Sequence, residues 1–312
     1  MFLNTLHRFW ASLALLTALA LVAPAANADA GTVDDTASIK SSILGQNVKY
    51  TLYLPPDYGR STRAYPVLYM MHGGDDGRYN DWFVQDNLGA LLDRLINAGE
   101  IPAMIVITPD GLRNPENKYA TYFMNDADGK FQWETMFIQE FIPAMQKRYR
   151  ILDDKRFRAM GGLSMGGFAS LMYAFKYPEL FSAAAVMSAA VRTDEQITQM
   201  DPAGYERRYG HAWGEGLTGE QRLNLQYHEK NVLDLVKHTP VAELRKTRYY
   251  LDVGTNDPFF LGNVLLHLAF NKLGVAHQFQ ARPGAHNYDF WVPGSEPLLR
   301  FVGLTFQERN VQ

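Results

Sequence analysis

Short, wholly apolar runs alternate with segments of helical periodicity along most of this chain, and that alternation limits its folds more than any other feature. "YPVLYMMHGG" (65–74), "PAMIVITPDG" (102–111), "FRAMGGL" (157–163), "FSAAAVMSAAV" (181–191), "RYYLDVG" (248–254) and "HQFQARPG" (277–284) read as buried strands. Between them, "NLGALLDRLINAGE", "KFQWETMFIQEFIPAMQKRYR", "SMGGFASLMYAFKYP" and "PFFLGNVLLHLAFNKLG" carry apolar residues at i, i+3, i+4 spacing, and "EPLLRFVGLTFQ" closes the chain as a terminal helix. Upstream, "ASIKSSILGQNVKYTLYLPPDY" reads as two strands about Gly45. This rhythm predicts an α/β fold with a mostly parallel sheet covered by helices on both faces. Residues 192–240 break it: they are polar, aromatic-rich and mostly helical, with no convincing strand, and are expected to form a helical cap inserted over one end of the sheet. One domain, residues 29–312, is expected.

The sharpest local signal is "FRAMGGLSMGGFAS" (157–170). A strand ends and a helix begins at Ser164, with Gly162 and Gly166 flanking it, and such a turn forces its central residue into a strained backbone conformation. Strain of this kind lifts a serine hydroxyl clear of a sheet for nucleophilic attack. The chain has no cysteine, so disulfides, thiolate metal sites and a cysteine nucleophile are all excluded. A nucleophile here must be an oxygen.

A serine hydroxyl is weakly nucleophilic near neutral pH and needs a general base, itself oriented by an acid. On a parallel sheet carrying such an elbow the order is Ser, acid, His, on loops at the C-terminal edge of later strands. "ARPGAHNYDFW" places His286 in the last such loop. His72, beside Gly73 and Gly74, precedes the elbow and suits shaping an oxyanion pocket better than acting as base. "YYLDVGTNDPFF" holds two acids. Asp257 follows the strand, while Asp252 lies within it, so loop position and chain order favour Asp257. Its place before Pro258 and an apolar helix also makes it a natural N-cap, and the two roles are compatible only if its oxygens serve different partners. Oxyanion donors are expected from the backbone N–H groups of Met165, at a helix N-terminus, and Gly74, in "HGGDDG".

The net charge of −3 and pI near 6.2, without a basic stripe, give no support to a nucleic-acid partner. No metal or cofactor is expected, since HExxH, EF-hand, phosphate-loop and dinucleotide patterns are absent. Residues 1–28 combine Arg8, the apolar run "ASLALLTALALVAPA" and small residues up to Ala28, the pattern of a cleavable secretory leader. Export without a membrane anchor, to the periplasm or the medium, is therefore expected. The oligomeric state is left open.

"YPVLYMMHGG…NDW", "GGLSMGGFASLMYAFKYPELF", "DVGTNDPF" and "GAHNYDFW" together resemble the esterase D family of α/β-hydrolases, over roughly residues 40–305. That group includes feruloyl and acetyl esterases, S-formylglutathione hydrolases, enterochelin esterases and antigen 85 mycolyltransferases. The resemblance implies Ser164 as nucleophile, Asp257 as acid, His286 as base, and Gly74 and Met165 as oxyanion donors. It implies that Trp82 lies near the site and that Glu134 is structural. His72, Trp82, Trp213 and Trp291 are assigned to substrate binding. The cap aromatics Tyr205, Tyr209, Trp213 and Tyr227 would either stack on an aromatic acyl group or pack the cap onto the body. The expected function is an exported serine carboxylesterase acting on small-molecule or carbohydrate-linked esters, feruloyl or acetyl. Acyl transfer of the antigen 85 type, siderophore trilactone hydrolysis and a silent binding protein on the same scaffold are the alternatives.

Overall fold

The computed structural model describes residues 29–114 and 119–308; the leader expected over residues 1–28 lies outside the described residues. Among the described residues, nine strands form the sheet: β1 (Thr32–Asp34), β2 (Ser38–Lys40), β3 (Asn47–Leu54), β4 (Val67–Met71), β5 (Ile105–Pro109), β6 (Arg158–Leu163), β7 (Ala183–Met187), β8 (Arg248–Gly254) and β9 (His277–Arg282). Five longer helical stretches flank it: α1 (Leu88–Asn97), α2 (residues 133–148), α3 (Ser164–Lys176), α4 (Phe260–Leu273) and α5 (Tyr288–Glu308). The strand order is β1-β3-β5-β4-β6-β7-β8-β9, with β2 also paired to β3. From β5 to β9 every pairing is parallel, and β1, β2 and β3 add antiparallel pairings at one side.

Period-two alternation within strands that are buried on both faces builds two cores. Val67, Tyr69 and Met71 of β4, with Ile105 and Ile107 of β5, pack under α2, α3 and α4 through Phe137, Phe141, Phe168, Leu171 and Phe270. Leu68, Met70 and Val106 face the other way and meet Leu88, Leu92 and Leu95 of α1 and Leu298, Leu299 and Phe306 of α5. A core phenylalanine such as Phe137 contributes about 3–5 kcal/mol when measured by truncation to alanine.

Two helices differ from their sequence reading, and both contain proline. α2 widens into a π turn over Phe137–Phe141, directly before Pro143. Proline has no N–H and its ring collides with the carbonyl four residues earlier, so the preceding turn opens. α5 begins at Tyr288, well before the segment expected, and carries Pro293 and Pro297 inside it.

The order of strands switches at β4, which is followed by β5 on one side and then by β6 on the other. The crevice outside the C-terminal ends of β4 and β6 is where open parallel sheets hold their ligands. Between β7 and β8, helical segments from residue 194 to residue 244 lie where the cap was expected.

Candidate active site

The last residue of β6 is Leu163, and α3 starts at once with Ser164, whose φ is +52°. For a residue with a Cβ this left-handed conformation costs about 1–3 kcal/mol and persists only where packing imposes it. The packing comes from the flanking glycines. A Cβ on Gly166 would lie 2.3 Å from the Met71 carbonyl oxygen, and one on Gly162 would lie 2.6 Å from the Gly166 backbone. Only glycine lets α3 turn off β6 this tightly against the end of β4.

Parallel strands end at one edge of the sheet, so the loops after β6, β8 and β9 meet. Ser164 Oγ lies 2.9 Å from His286 Nε2, and His286 Nδ1 lies 2.8 Å from Asp257 Oδ2. A carboxylate only accepts, so the imidazole proton belongs on Nδ1 and Nε2 is free to accept from the serine. Asp257 is buried, and its other oxygen, Oδ1, accepts the Phe259 N–H at 2.8 Å. Its two oxygens therefore serve the histidine and the turn into α4 separately. The His286 ring is held edge-on by Phe259 and Trp291, at 4.9 and 4.8 Å between centroids. Asp252 is elsewhere: it is fully buried and clamped by the Arg282 guanidinium at 2.7–2.9 Å. Burial raises its carboxyl, and the guanidinium opposes that shift.

The loop after β4 borders the elbow. A Cβ on Gly73 would be 3.9 Å from Ser164 Cβ, and one on Gly74 would be 3.5 Å from Met165 Cβ, so the two expected oxyanion donors are neighbours. Met165 sits in the first turn of α3, where backbone N–H groups have no partner within the helix. Ser164, His286, Gly73 and Gly74 open into a cavity of about 650 Å³, walled by Tyr122, Phe259, Tyr288 and Trp291 and, on the cap side, by Arg192, Gln196 and Arg208.

The Esterase family model matches residues 41–294, most of the chain. The chain belongs to this esterase family. It is 36% identical over 271 residues to Esterase Rv1288 of Mycobacterium tuberculosis, covering 79% of this chain and 54% of that one. It is also 34% identical over 164 residues to an endo-1,4-beta-xylanase/feruloyl esterase of Xylanibacter ruminicola, covering 50% of this chain and 22% of that one. The chain thus spans about half, and about a fifth, of the length of these relatives. Among solved structures, a ferulic acid esterase superposes with a TM-score of 0.75 at 27% identity, covering 89% of this chain and 99% of that one. The ferulic acid esterase AmCE1/Fae1A of Anaeromyces mucronatus, at 19% identity and a TM-score of 0.62 over 89% of this chain and 93% of its own, shares the fold. The architecture is that of the α/β-hydrolases.

Within this esterase fold, three of the four residues assigned to substrate binding stand outside the cavity. Trp82 is buried below the β4 loop, its indole N–H donating to the Met71 carbonyl at 3.2 Å, so it braces the strand end. Trp213 stacks on Tyr209 at 3.9 Å between centroids and packs edge-on against Tyr227. These rings, with Tyr205, form the insertion's own buried core and are unavailable to a ligand. His72 is buried too. Its Nδ1–H donates to the Gly73 carbonyl at 2.7 Å and its Nε2 accepts the Gly111 N–H at 2.8 Å, which pins the glycine loop. Burial pushes its imidazole below the usual range, in keeping with that neutral tautomer. Trp291 does line the cavity, and its N–H donates to Ser188 Oγ at 3.1 Å. Glu134 binds Lys176 and the Tyr177 hydroxyl, tying α2 to α3.

The sequence reading missed Tyr122 and Arg192. Nothing local marks Tyr122, which with Phe123 forms a pair of consecutive left-handed residues. Arg192 had a signal: it is the first charged residue after β7, on the same sheet edge as the elbow.

Proposed function

We propose that this chain is a serine carboxylesterase that forms an acyl-enzyme on Ser164, and that its substrates are feruloyl or acetyl esters of carbohydrate. The observation that carries the chemistry is the hydrogen-bonded chain from Ser164 Oγ through His286 to Asp257. Ser164 Oγ attacks the ester carbonyl while its proton passes to His286 Nε2, and Asp257 stabilises the imidazolium that forms. The carbonyl oxygen takes up negative charge against the N–H groups of Gly74 and Met165. His286 returns the proton to the departing alcohol; water then enters by the same route in reverse and releases the acid.

Support for the substrate class comes from the cavity and the relatives. Aromatic walls at Tyr122, Phe259, Tyr288 and Trp291 suit a planar aryl group beside the serine. The relatives with the matching fold and sequence include feruloyl and ferulic acid esterases. We also propose export, on the composition of residues 1–28.

Hydrolysis of short-chain p-nitrophenyl esters and of methyl ferulate by the wild type and by Ser164→Ala tests the reading. The variant is expected to lose at least ~10³-fold in kcat, approaching ~10⁶ when the serine works as part of a unit. Equal activity in the two proteins would refute it.

A further inference from the structure

We propose that Arg192 makes this site select esters that carry a negatively charged group; the inference rests on the serine-esterase reading above. Arg192 stands on the loop after β7, and that loop is stitched to the elbow where the Ala190 N–H donates to the Ser164 carbonyl at 2.9 Å. Its guanidinium lies 4.5 Å above the Phe259 ring, and Phe259 packs in turn against the His286 imidazole. A positive charge is thereby held in the cavity wall one aromatic ring away from the general base.

Among the described residues that charge has no counter-ion. Its Nη1 reaches two phenol hydroxyls, Tyr122 at 3.1 Å and Tyr209, and no carboxylate pairs with it among the described residues. The neighbouring cavity cation, Arg208, does have one, Asp75 at 3.5 Å. Arg192 is partly buried, and a desolvated cation met only by neutral dipoles is incompletely compensated. Guanidinium carries five N–H donors in a planar fork suited to a carboxylate, and Nη1 alone is engaged by the tyrosines. Nε and Nη2 have no protein partner among the described residues. A carboxylate on the bound ester would complete this fork with charge-assisted hydrogen bonds.

If Arg192 only ties Tyr209 of the insertion to Tyr122 of the body, its loss harms every substrate alike. Matched ester pairs separate the two roles. Mono-p-nitrophenyl adipate against p-nitrophenyl hexanoate varies charge on the acyl side; 4-acetoxybenzoate against phenyl acetate varies it on the leaving group. We expect the wild type to favour the charged member of at least one pair in kcat/KM. In Arg192→Gln that ratio should fall about ten- to a hundredfold, the loss of one or two charge-assisted hydrogen bonds, and Arg192→Lys should recover part of it. Absence of charge preference in both pairs, or a ratio unchanged in Arg192→Gln, overturns the proposal. Fluorophosphonate labelling of Ser164 in the same preparations distinguishes the two failures. A labelled, active enzyme without charge preference sinks the Arg192 inference alone, and an unlabelled, inactive one sinks the esterase reading with it.

Discussion

Replacing Asp257 by asparagine tests the site through the position of one proton. In the wild type Oδ1 accepts the Phe259 N–H and Oδ2 accepts the His286 Nδ1–H, each at 2.8 Å. An asparagine has one oxygen, and the Phe259 N–H can only donate, so the amide oxygen must stay there and the NH₂ group must turn to the histidine. An NH₂ facing Nδ1 makes that nitrogen the acceptor and moves the imidazole proton to Nε2. Nε2 then donates to Ser164 Oγ and can no longer take its proton. A wrong tautomer in an otherwise intact triad costs about 10⁴ in kcat, or about 5.5 kcal/mol of barrier. Because the turn into α4 keeps its hydrogen bond, stability should barely change. Asp257→Ala should instead leave the buried Phe259 N–H unpaired and lose about 1–3 kcal/mol of stability as well. The assay is kcat on p-nitrophenyl acetate from pH 6 to 9, with urea unfolding of both variants. A Asp257→Asn enzyme within tenfold of wild type would refute the argument.

Other expectations follow from the same contacts. Asp252→Asn should retain the catalytic geometry in its folded fraction while losing stability near the low end of about 3–5 kcal/mol, since Arg282 is partly exposed; urea midpoints with activity per folded molecule check this. Gly166→Ala drives a Cβ into the Met71 and His72 carbonyls, so a loss at the upper end of about 1–3 kcal/mol or beyond is expected, with Ser164 reactivity toward a fluorophosphonate falling in parallel. Burial raises Asp86 from its ordinary 3.8 to about 7, against the opposing hydrogen bond from Ser295. The folded state then holds the extra proton between about pH 4 and 7, and stability falls as pH rises through that window, by at most about 1.4 kcal/mol per unit. Asp86→Asn should flatten that slope and be the more stable protein at pH 8; an unchanged slope in urea unfolding at pH 5, 6, 7 and 8 would count against it.

The sequence carries the candidate triad more fully than the pocket, and the difference has a physical cause. Ser164, Asp257 and His286 lie far apart in the chain, yet each follows a strand of one parallel sheet, and parallel pairing alone delivers their loops to one edge. Apolar runs and chain order suffice to read that. Where local rules mislead, packing has overruled them. Pro293 and Pro297 look like helix breakers, but α5 runs through both, its inner face fixed by Phe290, Trp291, Leu298 and Leu299 in the second core. Trp213 looks like a ligand-stacking aromatic until its ring is found against Tyr209.

The pocket walls are harder still, because their conformations are held by distant residues. Tyr122 and Phe123 both adopt φ near +50°, which neither would choose alone. The Tyr173 hydroxyl from α3 binds the Phe123 carbonyl, and the Phe123 ring packs on Trp133 of α2. Those two contacts come from different helices, α3 and α2, and together they hold the turn that delivers Tyr122 to the cavity. Tyr122 in turn meets Arg192, whose other phenol partner, Tyr209, is set by the aromatic core of the insertion. The meeting of the three loops that carry the candidate triad is thus a product of sheet topology. The groups that would choose the triad's substrate are products of tertiary packing, and they change whenever the insertion or the loop before α2 is repacked.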